Sequence, residues 1–110
     1  MDYFTGHKGV ASSDGKVFAI QTSTTSSTEY YYKLNYGIYI IQYNEDVQLH
    51  SFYQYLPVRH SIINFEVGLS LNYDGTVLVV QFSNDYSNYQ LVYHRNSQAD
   101  LFSLSEILSP

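Results

Sequence analysis

The sequence predicts an all-β chain made of two equivalent four-stranded antiparallel sheets, and three observations carry that expectation. Thirteen Tyr and six Phe stand among 110 residues, and aromatic and β-branched side chains suit a pleated, half-buried surface. An Asp-Gly pair occurs twice, as Asp14-Gly15 and Asp74-Gly75, each just before an apolar run. Asp-Gly favours the two-residue hairpin turn, whose central residues need positive φ. The third observation is that the chain repeats when laid on itself.

Residues 11–21 (ASSDGKVFAIQ) match residues 71–81 (LNYDGTVLVVQ) at an offset of 60, through Asp14/Asp74, Gly15/Gly75, Val17/Val77 and Gln21/Gln81. Residues 44–56 (NEDVQLHSFYQYL) match 96–108 (NSQADLFSLSEIL) at an offset of 52, through Asn44/Asn96, Leu49/Leu101, Ser51/Ser103 and Leu56/Leu108. The difference of 8 falls between the blocks, where TSTTSSTEYYYKLNY of the first copy faces only FSNDYSNY of the second. One variable loop that absorbs the slack is what a tandem duplication leaves behind. The chain therefore divides into repeat 1, residues 1–57, and repeat 2, residues 58–110, which together form one structural domain.

Each copy reads as four strands. In the first they cover Lys8–Ser13, Lys16–Thr22, Gly37–Tyr43 and Val47–Tyr53; in the second, Glu66–Asn72, Thr76–Ser83, Tyr89–Arg95 and Ala99–Leu104. Asp-Gly joins the first pair of strands in each copy, and Asn44-Glu45 and Asn96-Ser97 turn the third into the fourth. The second strand is apolar on both faces (Val17, Phe18, Ala19, Ile20; Val77, Leu78, Val79, Val80), as an inner strand covered on both sides requires. The fourth alternates (Val47 and Leu49 against Gln48 and His50), as a partly exposed outer strand does. Pro57–Phe65 links the copies. Ser103-x-x-Glu106 fits a helix capping box, yet it aligns with Ser51–Gln54 and so reads as strand end.

VGLSLNYDGTVLVVQFS, followed by YQLVYHR and a last outer strand, resembles the β-propeller repeats of the SxDGxxV type, which are loosely related in appearance to integrin-like and WD-repeat-like blades. The resemblance covers nearly the whole chain and implies two blade-like sheets. It departs at Gln21 and Gln81, where the family carries a small residue, and in the absence of Trp. No D-x-D-x-D-G calcium loop is present, so the metal sites of integrin-like blades are not carried over. Two blades cannot close a ring of ~4–8 blades, and unpaired they would leave apolar faces in water. The chain is thus expected to be a partial β-propeller that trimerises into a six-bladed ring or belongs to a longer propeller, or else a two-sheet sandwich.

Composition narrows function. A net charge of −5 with five scattered Lys and Arg is a poor footprint for nucleic acid, which rewards clustered cations. No basic amphipathic stretch points to a membrane surface, and no apolar run nears the ~20 residues of a membrane span. The opening MDYFTGHKGV has no charged segment leading into an apolar one, so no secretory leader is expected. Without cysteine, disulfides, thiolate metal sites and Cys nucleophiles are excluded.

His7, His50, His60 and His94 lack ligand spacing. Asp14 and Asp74 could form a carboxylate pair for acid–base work, but their Asp-Gly context makes them turn residues. Glu45-Asp46 reads as a solvated turn. No catalytic residue, metal or cofactor is expected.

Binding is the better reading. The segment Thr22–Asn35 is expected as a long loop on the ligand-meeting side of the repeat, and it carries Glu29, Tyr30, Tyr31, Tyr32 and Lys33. The shorter equivalent carries Asp85, Tyr86, Asn88 and Tyr89. Tyrosine offers broad amphipathic contact at low rotamer cost. The bland alternative is that Tyr31 and Tyr36 only extend a strand. The expected function is a non-catalytic module whose Tyr-rich loop face binds a protein partner. The runner-up is a lectin-like module in which the tyrosines stack on sugar rings and Asp, Asn and Gln hold hydroxyls.

Overall fold

The computed structural model describes residues 2–27, 32–58, 66–83 and 88–108, with side chains for 9–22, 37–57, 68–82 and 88–108. The described chain is strand and turn. Strands β1 (Asp2–Ala11), β2 (Val17–Ser27), β3 (Tyr32–Asn44) and β4 (Leu49–Val58) form one antiparallel sheet in chain order. Strands β5 (Glu66–Leu71), β6 (Val77–Ser83), β7 (Asn88–His94) and β8 (Ser103–Leu108) form a second.

The two sheets agree in their turns and in the pairing of their third and fourth strands, whereas the β1–β2 bulge between Gly6 and Lys8 has no counterpart in β5–β6, where Val67 and Gly68 pair in unbroken register. Gly15 and Gly75 take φ of 74° and 73°, the left-handed region a glycine enters without Cβ strain. Their N–H groups donate to Ser12 and Asn72 carbonyls at 3.0 and 3.2 Å. Ser12 Oγ and Asn72 Oδ1 then accept the N–H groups of Val17 and Val77. Tyr43 N donates to the Lys16 carbonyl as Arg95 N donates to that of Thr76. A β-bulge interrupts β3–β4 between Ile40 and Ile41, and another interrupts β7–β8 between Val92 and Tyr93. Ile40 pairs with Gln54 and Val92 with Glu106, at the same offset of 52. The Asp-Gly turn, the bulge between the third and fourth strands and its register recur, so the duplication is structural as well as sequential.

Several boundaries differ from the sequence expectation, among them the ends of the fourth strands, which run past Tyr53 and Leu104 to Val58 and Leu108. The segment expected as a loop over Thr22–Asn35 is largely strand. β2 runs to Ser27 and β3 starts at Tyr32, with Ser27 opposite Tyr32, because Thr and Tyr favour extended backbone once a partner strand is present. β1 begins at Asp2 rather than Lys8 and pairs along the same extension, Asp2 opposite Ser26. The fourth strands start late, at Leu49 and Ser103 instead of Val47 and Ala99. Val47 and Gln48 sit in a turn where Gln48 takes φ of 56°. Residues 96–101 curl back under Arg95, whose guanidinium donates to the carbonyls of Gln98 and Asp100. Ser103 and Glu106 lie within β8. Pro57 belongs to β4, an edge strand where its missing N–H costs no ladder bond, and residues 59–65 lie outside the described residues.

The sheets stack face to face around one core. From the first come Val17, Ala19, Ile38, Ile40 and Leu56; from the second, Leu78, Val80, Phe82, Leu91, Tyr93 and Phe102. Which faces meet is decisive. In the first sheet the buried β2 side chains are Val17 and Ala19. Their equivalents at the offset of 60 are Val77 and Val79, which stay half-exposed while Leu78 and Val80 are buried. Opposite faces of the two copies therefore meet, front to back. A sandwich of two-fold related copies would bury the same face of each. The sheets approach most closely at β1 and β5. They open along β8, where Leu104 and Ile107 are 47% and 64% exposed.

Candidate functional site

Backbone topology gives the molecule two distinct ends. Asp14 N donates to the Tyr73 carbonyl, joining the two Asp-Gly turns at one end. The β3–β4 and β7–β8 connections lie at that same end, where Gln42 Nε2 donates to the Gln98 carbonyl at 2.7 Å. The β2–β3 and β6–β7 connections consequently share the other end, and β2 and β3 reach four residues further there than β6 and β7, measured by repeat position.

Of the predicted binding residues, the structure describes Tyr32, Lys33 and Asn88, at the strand ends of this second end. Glu29, Tyr30, Tyr31, Asp85 and Tyr86 lie outside the described residues. Tyr32 and Lys33 open β3, in register with Ser27 and Ser26. Asn88 opens β7, is exposed, and its Oδ1 accepts from Gln81 Nε2 at 3.4 Å. Tyr89 is not a loop residue. It stacks on Phe82 with ring centroids 5.2 Å apart and packs against the core.

The aspartates act within their turns. Asp14 Oδ1 accepts from the Ser12 hydroxyl at 2.6 Å and from Lys16 N at 3.0 Å, and Oδ2 accepts from Gln98 Nε2 at 2.9 Å. Chiefly the Ser12 hydroxyl, then the Lys16 amide, hold its carboxyl below the ordinary value. Asp74 is lowered likewise, first by the Thr76 hydroxyl at 2.7 Å. His50 shares a 3.0 Å hydrogen bond with the Gly15 carbonyl, the place Arg95 Nε takes at Gly75 in the second copy. Among the described residues no three His, Asp or Glu side chains gather as a metal site would require.

Polar side chains clasp the sheets together. Gln54 meets the Phe102 backbone twice, donating to its carbonyl at 3.0 Å and accepting its N–H at 2.8 Å. The Tyr53 hydroxyl donates to the Ala99 carbonyl. Gln98 Nε2 also donates to the Asp74 carbonyl at 2.7 Å. Arg95, only 3% exposed, stacks over Phe102 at 4.1 Å from the ring centroid. Burial pulls its guanidinium below the ordinary value, against the opposing pull of Tyr53, Asp100 and Asp74. Beside this clasp an open cleft of about 350 Å³ is bounded by Lys16, Glu45, Tyr43, Tyr53 and Gln98, with Lys16 and Glu45 ion-paired across exposed surface at 3.6 Å.

A second surface escaped the sequence reading. The outward face of β2–β4 is an aromatic pavement. Phe18 meets His50 edge-on at 5.2 Å and Tyr43 meets His50 at 5.3 Å, while Tyr39 lies 5.8 Å from Phe52 and 4.9 Å from Tyr55. Tyr55 lies over Gly37 so closely that any Cβ there would collide with its ring, and burial raises its hydroxyl above the ordinary value. Phe52 is 62% exposed. The signal was present in β2, apolar on both faces, which implies a cover on each. No family model matches the chain, and neither a curated protein nor a solved structure matches it.

Proposed function

We propose that this chain is a non-catalytic interaction module of the β-propeller kind, whose two sheets are successive blades and whose Tyr-rich end contacts a protein partner. The observation that carries the reading is the front-to-back stacking of two equivalent sheets. Stacking of that sense brings the same connection of every copy to one rim. By sequence, the β2–β3 and β6–β7 connections and the strand ends beside them carry Glu29, Tyr30, Tyr31, Tyr32, Lys33, Asp85, Tyr86 and Asn88, while the opposite end is closed by turns and side-chain clasps. A rim of tyrosines on a stiff antiparallel scaffold supplies contact area with little ordering cost.

The test is a triple substitution of Tyr30, Tyr31 and Tyr32 by Ser. Capture of protein partners from a host extract should fall by tenfold or more, the thermal transition should stay within about 2 °C, and a glycan array should remain blank. A large loss of stability would make these tyrosines packing residues. A positive array whose signal free sugar abolishes would move the reading to a lectin.

A further inference from the structure

The faces left uncovered by the stacking are complementary to one another, and the covered interface shows how. Within the chain, the first sheet offers an aliphatic face (Val17, Ala19, Ile38, Ile40, Leu56), and the second lays on it a face that carries three aromatic rings (Leu78, Val80, Phe82, Leu91, Tyr93, Phe102). Repeat position carries most of this apolar pattern to the free sides. The second sheet's free face carries Val77, Val79 and Val92, the equivalents of Val17, Ala19 and Ile40, all half-exposed, with Gln90 at the place of Ile38. The first sheet's free face carries Phe18, Ile20, Tyr39 and Ile41, the equivalents of Leu78, Val80, Leu91 and Tyr93, with Phe52 beside them, Thr22 at the place of Phe82 and His50 at that of Phe102.

From this we infer that a second copy of the chain covers each free face. The β2–β4 aromatic face of one copy docks on the β6–β7 valine face of the next, head to tail, as the two sheets already dock within one chain. The inference rests on the blade reading above but uses surfaces away from the Tyr-rich rim.

Polar positions support the same docking. Gln54, which clasps Phe102 across the internal interface, has Glu106 as its equivalent, exposed on the free face opposite Val92. Phe102 has His50 as its equivalent. Glu106 of one copy therefore faces the His50 backbone of the next, able to accept its N–H but unable to donate to its carbonyl. Gly15 fits too. A Cβ at Gly75 would lie 2.6 Å from Val17 Cγ2, whereas one at Gly15 meets nothing within 4 Å. In the docked pair, Gly15 of one copy covers Val77 of its neighbour.

A heterologous contact of this kind closes into a ring when the rotation allows, and three copies give six blades. The copies are identical, so no other molecule is needed.

Sedimentation velocity on the whole chain at tens of micromolar tests this, with two variants on opposite faces, Val79→Asp and Phe52→Glu. The wild type should sediment as three chains and each variant alone as a monomer with a folded far-UV spectrum. An equimolar mixture of the variants should give a one-to-one dimer, because each supplies the intact face that the other lacks. Glu106→Gln should tighten assembly roughly two- to tenfold by restoring the second hydrogen bond. A wild-type monomer overturns the inference, as does a variant that still self-associates alone, since that requires like faces to pair. A monomer that still captures a partner through the Tyr-rich rim sinks the ring and leaves the module. A ring that captures nothing does the reverse.

Discussion

Gly15 and Gly75 form a matched pair of turn glycines, of which only Gly75 has the neighbouring sheet packed against it. Both sit in the same turn with φ of 74° and 73°. Replacing either by Ala places a Cβ in the left-handed region, at a cost of about 1–2 kcal/mol. At Gly15 nothing else is touched. At Gly75 the new atom lies 2.6 Å from Val17 Cγ2 and 2.8 Å from Val17 Cβ. The turn cannot retreat cheaply, because Arg95 Nε holds the Gly75 carbonyl at 3.0 Å and Gln98 Nε2 holds that of Asp74 at 2.7 Å. Overpacking of this kind adds about 1–3 kcal/mol. Gly15→Ala is thus expected to cost about 1–2 kcal/mol and Gly75→Ala about 2–5 kcal/mol. Urea unfolding followed by circular dichroism measures both, in the Val79→Asp background so that assembly does not enter. Equal losses at the two positions, or a larger one at Gly15, would refute the packing of the second turn against Val17.

Other consequences follow from the clasp and the turns. Gln54→Ala leaves the Phe102 N–H and carbonyl without their partner and should cost about 1–3 kcal/mol in the same unfolding measurement. Arg95→Lys keeps a cation but cannot reach the Gly75, Gln98 and Asp100 carbonyls together; a loss of about 1.5–3 kcal/mol is expected, with protease cleavage appearing within residues 96–101. The Asp14 carboxyl is held below its unfolded value, so its stabilisation is complete above about pH 4 and disappears as pH falls through the folded value. Asp14→Asn should therefore flatten the acid limb of stability against pH and leave the slope near neutrality unchanged.

The strands and their pairing were legible because they rest on local chemistry. Asp-Gly dictated the two hairpins, and the equivalence of Val17 with Val77 and of Leu56 with Leu108 aligned the copies before any coordinates. Boundaries were less legible where a distant partner decides. Ser and Thr at 22–27 read as loop until β1 and β3 supply hydrogen bonds on both sides. The start of β8 was hidden because Arg95, a lone cation in the sequence, binds backbone carbonyls on both sides of it in the chain. The stacking sense was not legible at all. Val17 and Phe18 are equally apolar, and only the neighbouring sheet decides which of them is buried. For the same reason the aromatic face of β2–β4 was missed as a surface while its strands were found. Of the tyrosine-rich segments, Tyr32, Lys33 and Asn88 stand at strand ends and Tyr89 packs on Phe82, while Glu29, Tyr30, Tyr31, Asp85 and Tyr86 lie outside the described residues.

Nuclear Overhauser contacts from the methyl groups of Val17 test the front-to-back stacking most directly. The Gly75 α-protons should give strong cross-peaks to those methyls, with none between Val17 and Val77 or between Ala19 and Val79. Cross-peaks joining those equivalent residues, with none to Gly75, would mean that the sheets meet through like faces, and the blade arrangement would be wrong.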